Sequence, residues 1–125
     1  MLDTSPLTAV VERFADRLRA APQSRLQRGA AQVALELARE LSARAQRLEA
    51  AADGLGDAAG AAPAREMPDV GIFVVGDQVA VAGTDLAQAL RAAGHQAAAN
   101  GTKAPSEALD EAVRLVELAE VRAMR

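Results

Sequence analysis

His95 is the only histidine in the chain, and imidazole is the one side chain that changes charge near neutral pH without help from its surroundings. To act as a general base it would need an orienting carboxylate and a nucleophile close by. Folding could bring Asp85 or Asp110 to it, but the sequence nominates no nucleophile. A solvated loop histidine is the favoured reading. His95 cannot anchor zinc either, because no cysteine and no second histidine complete a ligand set. The sequence implies no metal, no cofactor and no catalytic residue.

Lys103 and Ser106 stand three apart, a spacing that supports a Ser–Lys pair in some hydrolases. Pro105 lies between them at a helix entrance, where serine is expected simply as a cap. The carboxylates are scattered over helix surfaces, and spacing alone selects no acid–base pair among them. The segment GLGDAAG invites comparison with a dinucleotide-binding loop. Its Gly54, Gly56 and Gly60 give GxGxxxG rather than GxGxxG, and it follows a helix rather than a strand. It reads as a linker.

Arg13, Arg17, Arg19, Arg25 and Arg28 crowd into sixteen positions around a turn at Pro22-Gln23, the layout of a helix-turn-helix. The second helix would be about twice the length of a usual recognition helix, and no cluster of Asn, Gln and Arg opens it. Phosphate contacts through Arg13, Arg17, Arg25 and Arg28 remain the nucleic-acid alternative. A solvated arginine face is favoured.

These residues sit in a chain of 125 residues with net charge −3, long enough to bury a real core. That charge gives no general attraction to nucleic acid or anionic membrane. Alanine supplies about half of the apolar residues, and only Phe14 and Phe73 are aromatic. Alanine favours helix but removes little area from water, so the core is thin and invites help from a second chain. With acids at Asp3, Glu12 and Asp16 and no run near the roughly 18 apolar residues of a membrane span, a soluble cytoplasmic protein is expected.

The periodicity predicts two N-terminal helices. Ser5 caps the first, Pro6 occupies its first position, and Leu7, Val10, Val11, Phe14, Leu18 and Ala21 share one face until Pro22 ends it. Ser24 and Gln27 have capping-box spacing and open a second helix. Its stripe is Leu26, Ala30, Val33, Leu37, Leu41 and Leu48, with Arg44 intruding and Leu35 on the far side. Nothing stops it before Asp53-Gly54. A helix of about 28 residues would be ~42 Å long, whereas a compact domain of this size is only about 36 Å across.

Residues 1–52 therefore read as a helical hairpin, 53–68 as a Gly/Ala/Pro linker, and 69–125 as a β-hairpin plus two helices, together forming one compact domain. The hairpin comes from DVGIFVVGDQVAVAG, where Gly76-Asp77 suits a tight turn between β-branched runs. Its strands, 70–75 and 78–83, place Ile72 opposite Val81 and Val74 opposite Val79. Thr84 would then cap a helix ending at Gly94. A loop with a turn at Asn100-Gly101 follows, and a last helix opens near Pro105-Ser106. On that helix Ala108, Leu109, Ala112, Val113, Leu115, Val116, Ala119 and Ala123 form an apolar arc, with Leu118 and Val121 on the charged side.

The expected fold class is thus α+β, mainly α-helical. An isolated hairpin leaves two unpaired edges, which a second copy could pair about a two-fold axis. The interface candidates are Ile72, Val74, Val79, Val81, Leu118 and Val121. The function that follows is a non-catalytic homo-oligomerising protein-interaction module, a homodimer that presents a surface to another protein. The alternatives are a small enzyme assembled in three dimensions around His95, and the arginine-based DNA regulator.

Overall fold

A computed structural model of the chain describes residues 2–52, 66–100 and 104–125. Helix α1 spans Ser5–Ala20, and Pro6 sits in its first turn, where a missing N–H costs nothing. Thr4, not Ser5, holds the N-cap position, and its side chain makes no cap bond. Asp3 does that work instead: its Oδ1 accepts from Ser5 N at 2.9 Å and from Ser5 Oγ at 2.6 Å. Leu7, Val10, Val11, Phe14 and Leu18 are buried, as their spacing predicts, and Ala15 joins them.

The expected single long second helix is broken. A short helical turn at Gln23–Arg25 leads into a wide turn at Leu26–Ala30, where Gly29 has φ 140°. Only then does α2 run over Ala31–Ala52. A β-carbon is strongly disfavoured at that φ, so glycine sets the position of the kink. No capping box forms at Ser24–Gln27; the N-cap is Pro22, with no side-chain bond. The 22 residues of α2 span about 33 Å. Helix 2 is therefore no longer than the domain is wide, and the argument from excess length falls. Leu35, expected on the far side, is buried at 3% exposure.

The described residues contain no strand, which overturns the α+β class. Ile72–Val74 form one 3₁₀ turn, and α3 runs unbroken over Val75–Asn100. Val75, Val79, Ala82, Leu86 and Leu90 are all buried along α3, a helical stripe that alternation cannot produce. Packing against α1 and α2 overrides the strand preference of the valines, because β-propensity is mostly a statement about fitting a half-buried surface. Gly76 is the second residue of the helix rather than a hairpin tip. Thr84 lies mid-helix, its hydroxyl donating back to Ala80 O at 2.9 Å. Gly94 does not end α3, which continues to Asn100.

Helix α4 covers Ala104–Ala123, with Leu109, Ala112, Val116, Ala119 and Ala123 buried. The four helices share one hydrophobic core, in which Leu7, Phe14, Leu41, Val79, Leu86, Leu90 and Val116 are essentially inaccessible. Residues of the expected linker up to Arg65 lie outside the described residues, as do Gly101, Thr102 and Lys103. The last residues of the expected linker are pinned. Arg39 Nε pairs with Glu66 Oε1 at 3.0 Å and donates to Met67 O at 2.9 Å, and Gln78 Nε2 donates to Pro68 O at 2.7 Å. No helix among the described residues is long and apolar enough to cross a membrane.

Candidate functional site

The residues with chemical potential do not converge. His95 is exposed on α3 rather than in a loop. Asp85 lies ten residues earlier on the same helix, about 15 Å away along its axis, far beyond hydrogen-bond reach. Asp110 is exposed near the start of α4. Ser106 lies in the first turn of α4, and its expected partner Lys103 falls outside the described residues. Gly54, Gly56 and Gly60 fall outside them too. Among the described residues no group of three His, Asp or Glu side chains could hold a metal ion.

The arginines are engaged within the fold. Arg13 Nη2 reaches Glu120 Oε1 at 2.9 Å, and Arg17 Nη1 reaches Glu120 Oε2 at 3.3 Å. Glu120 is buried at 6% exposure between α1 and α4, so a carboxylate occupies the centre of the basic cluster. The bonds that Arg13 donates to Glu120 hold its guanidinium above its ordinary range. Arg25 Nη1 donates to Arg125 O at 3.1 Å, and Arg28 Nε donates to Ser24 O at 3.3 Å. Arg19 bridges α1 to α3 through Asp77, at 2.7 Å, which raises its pKa as well. Glu120, Asp16 and Asp77 offset part of this positive charge, whereas the bond from Arg28 goes to a neutral carbonyl and leaves its charge in place.

The six interface candidates separate into different surfaces. Val79 is fully buried in the core, while Val81, two residues on, is 54% exposed. Ile72 and Val74 are half-buried in the turn before α3. Leu118 and Val121 face outward from α4 at 63% and 57% exposure. A patch built on strand pairing does not exist, since the pairing that would have joined these residues is absent.

A feature the sequence reading missed lies where the kink meets the turn before α3. The wide turn at Gly29 opens a gap between the start of α2 and residues 69–75. The gap is a groove of about 260 Å³ with apolar walls from Leu26, Leu35, Ile72 and Val75. Its polar rim includes Gln27, Gln32 and Asp69. Asp69 Oδ1 accepts from Gly71 N at 3.1 Å and so shapes the turn. Val70 and Phe73, next in sequence to the lining residues Asp69, Gly71 and Ile72, are 60% and 72% exposed. The available signal was Gly29 itself, since a glycine inside a helical stripe marks a weak point in the helix. A second hollow of about 220 Å³, lined by Arg44, Arg47, Leu48, Leu86 and Ala108, is closed chemically. Its arginines already pair with Glu40 and Glu111.

No protein-family model matches the chain, and no curated protein or solved structure matches it either.

Proposed function

We propose that this chain is a non-catalytic, self-associating protein-interaction module that works through the apolar surface at the kinked end of its helical bundle. One observation carries the reading. Of the two phenylalanines, Phe14 is fully buried and Phe73 is 72% exposed. A phenyl ring left in water forgoes the largest apolar burial available to this chain, and aromatic side chains are enriched where protein surfaces meet. Phe73 also follows Ile72, which lines a groove with apolar walls, and stands three residues after Val70, itself 60% exposed. The scattered carboxylates and exposed His95 offer no comparable argument for catalysis. A cytoplasmic location belongs to the same reading, and fractionation of cells that make the protein tests it.

Sedimentation velocity from ~10 to ~500 μM, a range that covers weak micromolar association, tests the module. The expected result is a sedimentation coefficient that rises with concentration, and that rises much less in Phe73→Ser. A coefficient independent of concentration in the unmodified protein overturns the self-associating module.

A further inference from the structure

The exposed side of α4 changes character along its length. Its first half carries Glu107, Asp110 and Glu111. Its second half carries Arg114, Leu118, Val121, Arg122 and Arg125, all exposed and spaced by three and four residues so that they share one face. Among the described residues none of these three guanidiniums makes an ion pair. The helix macrodipole favours acids at the start and arginines at the end. It gives no reason to leave Leu118 at 63% and Val121 at 57% exposure between those arginines. We infer that this half of α4 binds a short acidic segment of another protein, with carboxylates on the arginines and an apolar side chain against Leu118 and Val121.

The fold adds charge to the end of this face. Arg25 Nη1 donates to Arg125 O at 3.1 Å, which brings a guanidinium from the kink to the end of α4. Across the seam with α1, Arg13 and Arg17 share the single carboxylate of Glu120, so that group keeps one net positive charge. Glu117 is the one exposed acid in this half of α4. Glu120 also shows how these side chains grip a carboxylate. Arg13 reaches its Oε1 with Nε at 3.1 Å and with Nη2 at 2.9 Å, the planar fork that suits carboxylates.

Charge and chemistry together select a protein segment over nucleic acid. A chain of net charge −3 repels a long polyanion as a whole. A short segment feels only the charges within about 8 Å at physiological salt. A phosphate backbone also leaves Leu118 and Val121 without a partner, whereas an acidic segment with interspersed apolar residues serves both kinds of side chain. Arginine is itself enriched where proteins meet. From Arg114 to Arg125 the face is about 16 Å long, or roughly three turns of a partner helix. This goes beyond self-association, since both the surface and the partner are different.

Fluorescence anisotropy tests it with two labelled peptides, a Glu-Glu-Leu repeat and its Gln-Gln-Leu counterpart, titrated with protein up to ~1 mM. The Glu peptide should approach saturation and the Gln peptide should not. Arg122→Gln with Arg125→Gln should weaken the Glu peptide about tenfold. Arg47→Gln with Arg91→Gln makes the same change in net charge on α2 and α3, and should cost at most about twofold. Circular dichroism confirms that each variant keeps its helices. Leu118→Ser with Val121→Ser should weaken the Glu-Glu-Leu repeat and leave a Glu-Glu-Ser repeat unchanged. Equal losses from the two arginine pairs, or equal binding of the Glu and Gln peptides, overturn the inference. So does tighter binding of an oligothymidine of equal charge, which would assign the surface to phosphates. Self-association without binding of the Glu peptide removes this partner and leaves the interaction module standing.

Discussion

Gly83 of α3 lies against Val11 of α1 so closely that a β-carbon on Gly83 would stand 2.5 Å from Val11 Cγ1 and 2.8 Å from Cγ2. No real pair of carbons tolerates that separation, so the two helices can approach as they do only because position 83 has no side chain. Gly76, two turns earlier on the same face, plays the same part against the backbone of Ala15 at 3.0 Å.

Replacing Gly83 with alanine sets two effects against each other. Helix propensity favours alanine by about 1 kcal/mol, while overpacking a tight contact costs about 1–3 kcal/mol. Because the obstacle is the branched side chain of Val11, the clash wins, and Gly83→Ala lowers stability to urea. Val11→Ala in the same chain makes room, so the double variant should be more stable than the two single losses imply. Additive losses would show that this contact does not set the helix spacing.

The same contact explains what could be read from the sequence and what could not. The α1 stripe, Leu26, Ala30, Leu37 and Leu41 of the second stripe, the opening of α4 and the outward placement of Leu118 and Val121 followed from 3.6-residue spacing, whereas Leu35 was placed on the wrong side. Residues 69–83 failed because valine-rich runs flanking Gly-Asp satisfy strand and helix templates alike over so few residues. Gly76 and Gly83 are seven apart, and that spacing favours a helix face over a turn. The groove stayed hidden for a related reason: Gly29 fits a helical stripe by position, and only its φ reveals the kink.

Gly29 gives the complementary case. A β-carbon there would meet nothing within 4 Å, so any penalty comes from the backbone at φ 140°. Gly29→Ala should cost about 1–3 kcal/mol by urea denaturation, with no rescue from shortening a neighbouring side chain. An unchanged midpoint would mean that the kink straightens without loss.

Glu120 is the one acid buried in the described core, and two arginines hold it. Glu120→Gln keeps the volume and removes the charge, leaving Arg13 and Arg17 without their counter-ion. A hydrogen bond to a charged group contributes about 1.5–3 kcal/mol, so the variant should lose roughly 1–2 kcal/mol in dilute buffer. Each arginine is about half exposed, at 55% and 51% for their side chains, and salt reaches them. The gap between variant and unmodified protein should therefore shrink at ~1 M NaCl. A gap independent of salt would assign the loss to packing rather than charge.

Asp3 makes the start of α1 sensitive to acid. Bonds from the Ser5 hydroxyl and then the Ser5 N–H lower its pKa below the ordinary 3.8. The folded carboxylate gives up its charge less readily than the unfolded one, so its contribution is complete above pH 3.8 and is lost as pH falls through the lower folded value. The stability difference between unmodified protein and Asp3→Asn should be constant at neutral pH and narrow only below pH 3.8. Narrowing already near pH 6 would exclude Asp3 as its source.

Val79 and Val81 decide between helix and strand most directly. In a strand, residues two apart share a face, so both valines would be buried together or exposed together. In a helix, two residues turn through about 200°, which puts them on opposite sides. Val79 is 0% exposed between the helices and Val81 is 54% exposed. Val79→Ala removes two buried carbons and leaves a cavity, so it should cost about 2 kcal/mol. Val81→Ala removes the same atoms from water and should stay within about 0.5 kcal/mol, with a gain in helix propensity to offset lost contact. Thermal or urea unfolding of the two variants side by side measures the difference. Equal losses at both positions would put the valines on one face and restore the strand.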